Sequence, residues 1–199
     1  MPSKRETPRA SRARAGRFEQ SPPTWEILYA MDGVEIRSFV DSDPPMMSAA
    51  FARVGSVKAA VTFERYLAEA AEGARICLAA EAAGAFAGYV TVDWMPDYPG
   101  FQDERIPEIQ DLNVLPAFRR RGIATRLLDR AEAEIAARSA VAGIGVGLHP
   151  GYNVAQRMYG KRGYILDGRG LTWRNGYVPE GALVRVDDDL VLHLTKRLR

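Results

Sequence analysis

The stretch IPEIQDLNVLPAFRRRGIATRLLDRAEAEIAAR, residues 106–138, decides the fold. It reads as a strand ended by Pro116, a short basic turn containing Gly122, and a long amphipathic helix. A helix start leaves its first N–H groups without partners and carries the positive end of the helix dipole. A turn that delivers a ligand there therefore holds an anion through backbone alone. Arg119, Arg120 and Arg121 stand just before Gly122. The arginines add forked donors suited to phosphate oxygens, and the glycine lets a ligand approach the backbone closely. Along the helix Ile123, Leu127, Leu128, Ala131 and Ile135 form an apolar stripe, while Arg126, Asp129, Arg130, Glu132 and Glu134 make the solvated side.

The buried-strand pattern of 141–148 (VAGIGVGL) follows that helix, and strand, helix, strand at this length implies a right-handed parallel crossover. Upstream, 75–80 and 85–93 read as strands joined by a glycine-bearing turn, hence as antiparallel neighbours. A first strand is expected over 34–39, helices over 46–53 and 61–71, and a short helix over 153–161. Further strands are expected at 164–166, 171–173 and 190–195. The fold class is thus α+β: a mixed, mostly antiparallel sheet of about six or seven strands, with one splayed parallel pair, flanked by helices. Residues 94–105 (WMPDYPGFQDER) read as a loop, because Pro96, Pro99 and Gly100 interrupt any period. Its Trp94, Tyr98 and Phe101 beside Asp93, Asp97, Asp103 and Glu104 suit either a cationic amine or simple aromatic packing.

With 199 residues and 47% hydrophobic content the chain is long enough to bury a core, and it most simply makes one domain over 25–199. Residues 1–24 read as a disordered basic tail: the first 20 carry six basic side chains against Glu6 and Glu19, a balance of +4. Since the whole chain is +2, the remainder is near −2, which argues against general nucleic-acid binding. No apolar run reaches membrane-spanning length, and the tail lacks the apolar segment of a secretory signal. The single cysteine, Cys77, lies in the apolar run RICLAA, excludes an internal disulfide and fits a reducing, cytoplasmic setting.

Taken in order, these pieces resemble the GNAT superfamily of acetyl-CoA-dependent N-acetyltransferases, over roughly residues 34–197. Arg119, Gly122 and Ala124 match that family's pyrophosphate turn, preceded by Leu112, Asn113, Val114 and Pro116 and followed by Ile123 and Leu127. Asn153, Ala155 and Tyr159, with Gly163-Tyr164 after them, are similar to its second signature segment. Glu108, 14 positions ahead of Gly122, stands where several members place a catalytic glutamate.

The resemblance implies that the amides of residues 119–124 hold the pyrophosphate of coenzyme A. The backbone of Leu112, Asn113 and Val114 would pair with its pantetheine arm, and Asn153 would bond to the cofactor. Tyr159 resembles the tyrosine that protonates a departing thiolate; as a bare residue it also suits a core position. Asn153 also reads as a helix N-cap. Glu108 is chosen as general base over Asp111, and strand alternation puts the two on opposite faces.

His149 and His193 carry little weight: the second alternates with Leu192 and Leu194 as an outward position does, and no metal site is implied. The expected activity is direct transfer of an acetyl group from acetyl-CoA to a primary amine. That amine is a small molecule or, alternatively, a peptide or protein amine, and a homodimer is compatible with this reading. Other readings are a longer acyl donor and a non-catalytic acyl-CoA-binding module.

Overall fold

The computed structural model describes residues 33–198, so the basic tail lies outside the described residues. Eight strands form one sheet in the order β1-β2-β3-β4-β5-β8-β6-β7. They are β1 (Val34–Ser38), β2 (Arg75–Ala82), β3 (Ala85–Asp93), β4 (Glu108–Val114), β5 (Val141–Gly147), β6 (Ile165–Trp173), β7 (Gly176–Tyr177) and β8 (Leu190–Arg197). Every pairing is antiparallel except β4 with β5. The expected class therefore stands, with β7 as a short extra edge strand.

Local chemistry explains the joints. Ala83 and Gly84 both take positive φ, so β2 and β3 meet through the two-residue turn whose twist suits a hairpin. The predicted strands at 164–166 and 171–173 are one strand, β6. Its pairing with β8 is interrupted between Leu166 and Leu171, where Gly168 and Gly170 adopt φ of +81° and +85°.

Helices cover both faces. On one lie α1 (Asp43–Ala52) and α2 (Ala60–Ala71), whose Phe51, Phe63 and Tyr66 pack on Cys77, Ala79 and Tyr89. On the other lie α4 (Ile123–Ala136) and α5 (Asn153–Lys161). The apolar stripe read from the sequence is fully buried there: Ile123, Leu127, Leu128, Ala131 and Ile135 pack on Ile109, Ile144 and Val146.

The segment 94–105 is not the loop expected. Pro99–Glu104 forms a short helix, α3, with proline in its first turn, where a missing N–H costs nothing. Tyr98 and Phe101 are buried with Ile106 in a small satellite core, so these two aromatics pack. No helix of the described residues is long and apolar enough to cross a membrane.

Candidate active site

The site forms where β4 and β5 part. Their parallel pairing lasts for two register pairs, Glu108 with Gly143 and Ile109 with Ile144. Beyond it β4 stays bound only to β3, and β5 only to β8. From Gln110 to Val114 the edge of β4 facing β5 has no strand partner, as pairing with an extended ligand requires.

A bulge accompanies the divergence. Asp111 adopts φ +55°, and between Gln110 and Asn113 β4 has two residues where β3 has only Val90. Gly88 on β3 makes room for it, since a Cβ there would lie 2.3 Å from the Asn113 carbonyl oxygen.

The bulge overturns the expectation that Glu108 and Asp111 occupy opposite faces. Ile109, Leu112 and Val114 pack toward α4, while Glu108, Gln110 and Asp111 all engage side chains on the other face. Simple alternation fails because the extra residue resets its phase.

Glu108 is 7% exposed, and burial pushes its carboxyl up to about 7, the hydrogen bond from Gln110 opposing and the Asp93 charge assisting. Its Oε2 accepts from Gln110 Nε2 at 2.8 Å, and Gln110 Oε1 accepts from Arg75 Nη1 at 3.0 Å. Arginine only donates, so this contact fixes which end of the amide faces Glu108. Arg75 is itself held by Glu69, Thr91 and Asp93 and lies over the Tyr66 ring.

On the other side, Glu108 Oε1 is 3.9 Å from His193 Nε2. His193 is 2% exposed, stacked on Tyr98 at 3.6 Å and edge-on to Phe101, so the outward position expected for it is wrong. Burial pushes its imidazole down to about 4, against the nearby Asp167 charge, and it is neutral at physiological pH. Gly145 on β5 admits this pair: a Cβ there would be 3.3 Å from Glu108 Oε1 and 3.0 Å from Val191 Cγ1.

Asp111 has a contrasting environment. Burial alone would raise its carboxyl, but the Lys58 charge at 3.1 Å and the hydroxyls of Tyr66 (2.7 Å) and Tyr89 (3.0 Å) hold it below the usual carboxylate range. One acid is thus poised to exchange a proton near neutral pH, and the other stays ionised. That contrast supports Glu108 over Asp111 as base.

At the far end of β4 the chain turns into α4. Gly122 is the N-cap at φ +74°, with no side-chain cap, and the first backbone bond of the helix runs from Arg126 N to Gly122 O. Among the described residues the amides of 120–125 donate to no backbone carbonyl, as an anion cradle requires. Arg119, Arg120 and Arg121 are exposed there, with Arg119 Nε bound to the Val114 carbonyl. Ile123 is buried in the core and contributes its backbone only, whereas Ala124 is half-buried. The free edge of β4 and this cradle are contiguous in the chain, which fits an extended ligand with a diphosphate at one end.

Tyr159 is buried on α5, 6.0 Å from the Tyr164 ring, and burial raises its phenol well above the ordinary range. Asn153 does not cap its helix: Tyr152 is the N-cap residue, no side-chain cap bond forms, and Asn153 is exposed. His149 Nε2 lies 2.7 Å from Asp188 Oδ1. Cys77 is buried and its thiol is pushed up to about 12 by burial, so it is no nucleophile.

A concavity of about 510 Å³ lies elsewhere, between α4 and the ends of α5 and β8, lined by Glu132, Arg162 and Lys196. It sits on the α4 face, away from Glu108.

The sequence reading missed Arg75, Gln110, Lys58, Tyr66 and Tyr89. Gln110 lies two positions from Glu108 on β4, while the other four reach the site from distant elements, Lys58 from the connector between α1 and α2, and no local pattern marks those four.

Known proteins share the fold. The fold matches a ribosomal-protein-alanine N-acetyltransferase from Brucella melitensis (TM-score 0.61, 18% identity, 82% of this chain and 99% of that one). It also matches the yncA protein of Salmonella typhimurium, solved with its cofactor acetyl-CoA (0.60, 19%, 84% and 95%). A third match is spermidine N-acetyltransferase from Vibrio cholerae in complex with CoA and spermine (0.59, 15%, 83% and 96%). At such identities the likeness is one of fold. No curated protein matches the sequence significantly. The sequence of residues 45–164, more than half of the chain, matches the Acetyltransferase (GNAT) family, and the protein belongs to that family.

Proposed function

We propose that the protein is an N-acetyltransferase that moves an acetyl group from acetyl-CoA directly to a primary amine. The family uses acetyl-CoA, and its fold neighbours are solved with acetyl-CoA or CoA. The observation that carries the reading is the free edge of β4 running into the uncapped start of α4, with Glu108 at the point where β4 and β5 separate.

The backbone of Leu112, Asn113 and Val114 would hold the pantetheine arm, and the amides of 119–124, with Arg119, Arg120 and Arg121, the pyrophosphate. Asn153, exposed at the start of α5, would add a bond to the cofactor. Bound acetyl-CoA supplies an activated acetyl thioester.

Glu108 takes a proton from the incoming ammonium so that the nitrogen lone pair is free to attack. A carboxyl poised near 7 is matched to that task at neutral pH. Tyr159, kept protonated by burial, donates from its hydroxyl toward the departing sulfur. Cys77, a buried thiol, takes no part, so transfer needs no acyl-enzyme. The same thiol suits a cytoplasmic setting.

The test is release of free thiol from acetyl-CoA across a panel of primary amines, with both reactants varied. Intersecting initial-velocity lines and an N-acetylated product are expected. Parallel lines or trapped acetyl-enzyme would refute direct transfer, and thiol release with none of the amines would refute the activity.

A further inference from the structure

Lys58 belongs to the connector 53–59 between α1 and α2, a segment that packs little: its neighbour Val57 is 96% exposed. Yet the Lys58 side chain folds back onto the sheet and is only 24% exposed. Its Nζ lies 3.1 Å from Asp111 Oδ1, 5.4 Å from the Tyr89 ring centroid and 5.9 Å from that of Phe51.

The seat is built apart from its occupant. Asp111 Oδ2 accepts from the hydroxyls of Tyr66 and Tyr89, which fixes the carboxylate and leaves Oδ1 facing the cation. Phe51 and Tyr89 belong to the core cluster beneath, so their positions do not depend on Lys58. One ionised carboxylate with two ring faces is the chemistry that recognises an organic ammonium. Asp188, on the β7–β8 loop, contributes a further negative charge that feels Lys58. The seat lies on the bulge of β4, on the same face as Glu108 and beside the free strand edge.

We propose that the Asp111, Tyr89 and Phe51 seat is a subsite for a second ammonium group of the acceptor, and that Lys58 is an in-chain occupant which the acceptor displaces. The acceptor class is then a diamine or a longer chain with two ammonium groups, one held at Asp111 while the other reacts. A part-exposed ion pair on a loosely packed connector contributes little stability, so exchanging it for a ligand's ammonium is easy. Without a competing acceptor, the connector closes its own subsite. This inference rests on the amine-acetylation reading, and its test separates the two.

The probes are 1,4-diaminobutane and butylamine, which share a chain length and differ by one ammonium. Their binding to the full chain is measured by calorimetry, and their kcat/KM with acetyl-CoA by thiol release, for wild type, Lys58→Ala and Asp111→Asn. Lys58→Ala should tighten diaminobutane binding and raise the diamine-to-monoamine ratio of kcat/KM, on the order of tenfold each. Asp111→Asn should remove the preference. Tyr66→Phe, which leaves one phenol on the carboxylate, should weaken diamine binding less than Asp111→Asn does, and serves if that variant misfolds.

A ratio unchanged by Lys58→Ala, or a loss equal for both amines, overturns the subsite while leaving acetyl transfer intact. Tight diamine binding by Lys58→Ala without turnover of either amine keeps the subsite and overturns the transfer reading.

Discussion

Gln110 Nε2 donates to Glu108 Oε2 at 2.8 Å while Gln110 Oε1 accepts from Arg75 Nη1 at 3.0 Å, so the proposed base is held by an amide whose orientation an arginine dictates. A donor to a carboxylate stabilises its charged form and lowers its pKa. Removing it with Gln110→Met should push the Glu108 carboxyl above its value of about 7. The acid limb of the kcat/KM profile should move to higher pH, by about one unit. A limb that stays put, with activity merely scaled down, would show Gln110 to be structural only.

Glu108 also makes a stability prediction. Its folded carboxyl titrates above the unfolded value of 4.5, so the folded state binds more protons between pH 4.5 and about 7, and this group's contribution to stability falls as pH rises through that window. Glu108→Gln removes the penalty. At pH 8 it should be more stable than wild type, by up to about 3 kcal/mol, and the difference should close near pH 4.5. Thermal melts at both values check it; a variant less stable than wild type at pH 8 would mean that burial does not raise this carboxyl.

Gly88 tests the bulge. A Cβ at that position meets the Asn113 carbonyl oxygen at 2.3 Å and the Val114 Cα at 3.0 Å, both backbone atoms that cannot swing aside. Gly88→Ala should cost about 2–3 kcal/mol and weaken acetyl-CoA binding, because β4 must shift at the edge proposed to hold pantetheine. Wild-type stability with unchanged binding would count against that packing.

Tyr159→Phe removes only a hydroxyl. The ring remains against Tyr164, so folding and acetyl-CoA affinity should be retained while kcat falls, on the order of tenfold or more. An unchanged kcat would leave Tyr159 as a core residue.

Much of this was legible in the sequence because local patterns carried it. The stripe from Ile123 to Ile135, the hairpin around Gly84 and the crossover into 141–147 follow from periodicity and turn residues. The turn at 119–124 was found because strand, glycine and helix occur in order. The bulge was not legible, since nothing in QDLN announces that Asp111 takes φ +55°. Its effect was large, for it moved Asp111 onto the face of Glu108.

Long-range partners were hidden for a different reason. Lys58 and Asp111 are 53 positions apart, and Arg75 and Gln110 35 apart, so only the assembled sheet brings them together. The glycines of β5 read as a plain buried strand. Their purpose emerges once Phe101 lies over Gly143, the Glu108–His193 pair beside Gly145, and Tyr152 over Gly147.

Whether Glu108 is the base of an amine acetylation is decided by amine-dependent thiol release from acetyl-CoA by wild type and by Glu108→Gln, with acetyl-CoA affinity measured in parallel. Release by wild type should fall on the order of 100-fold or more in the variant, with affinity unchanged. Equal release by both proteins would contradict that role.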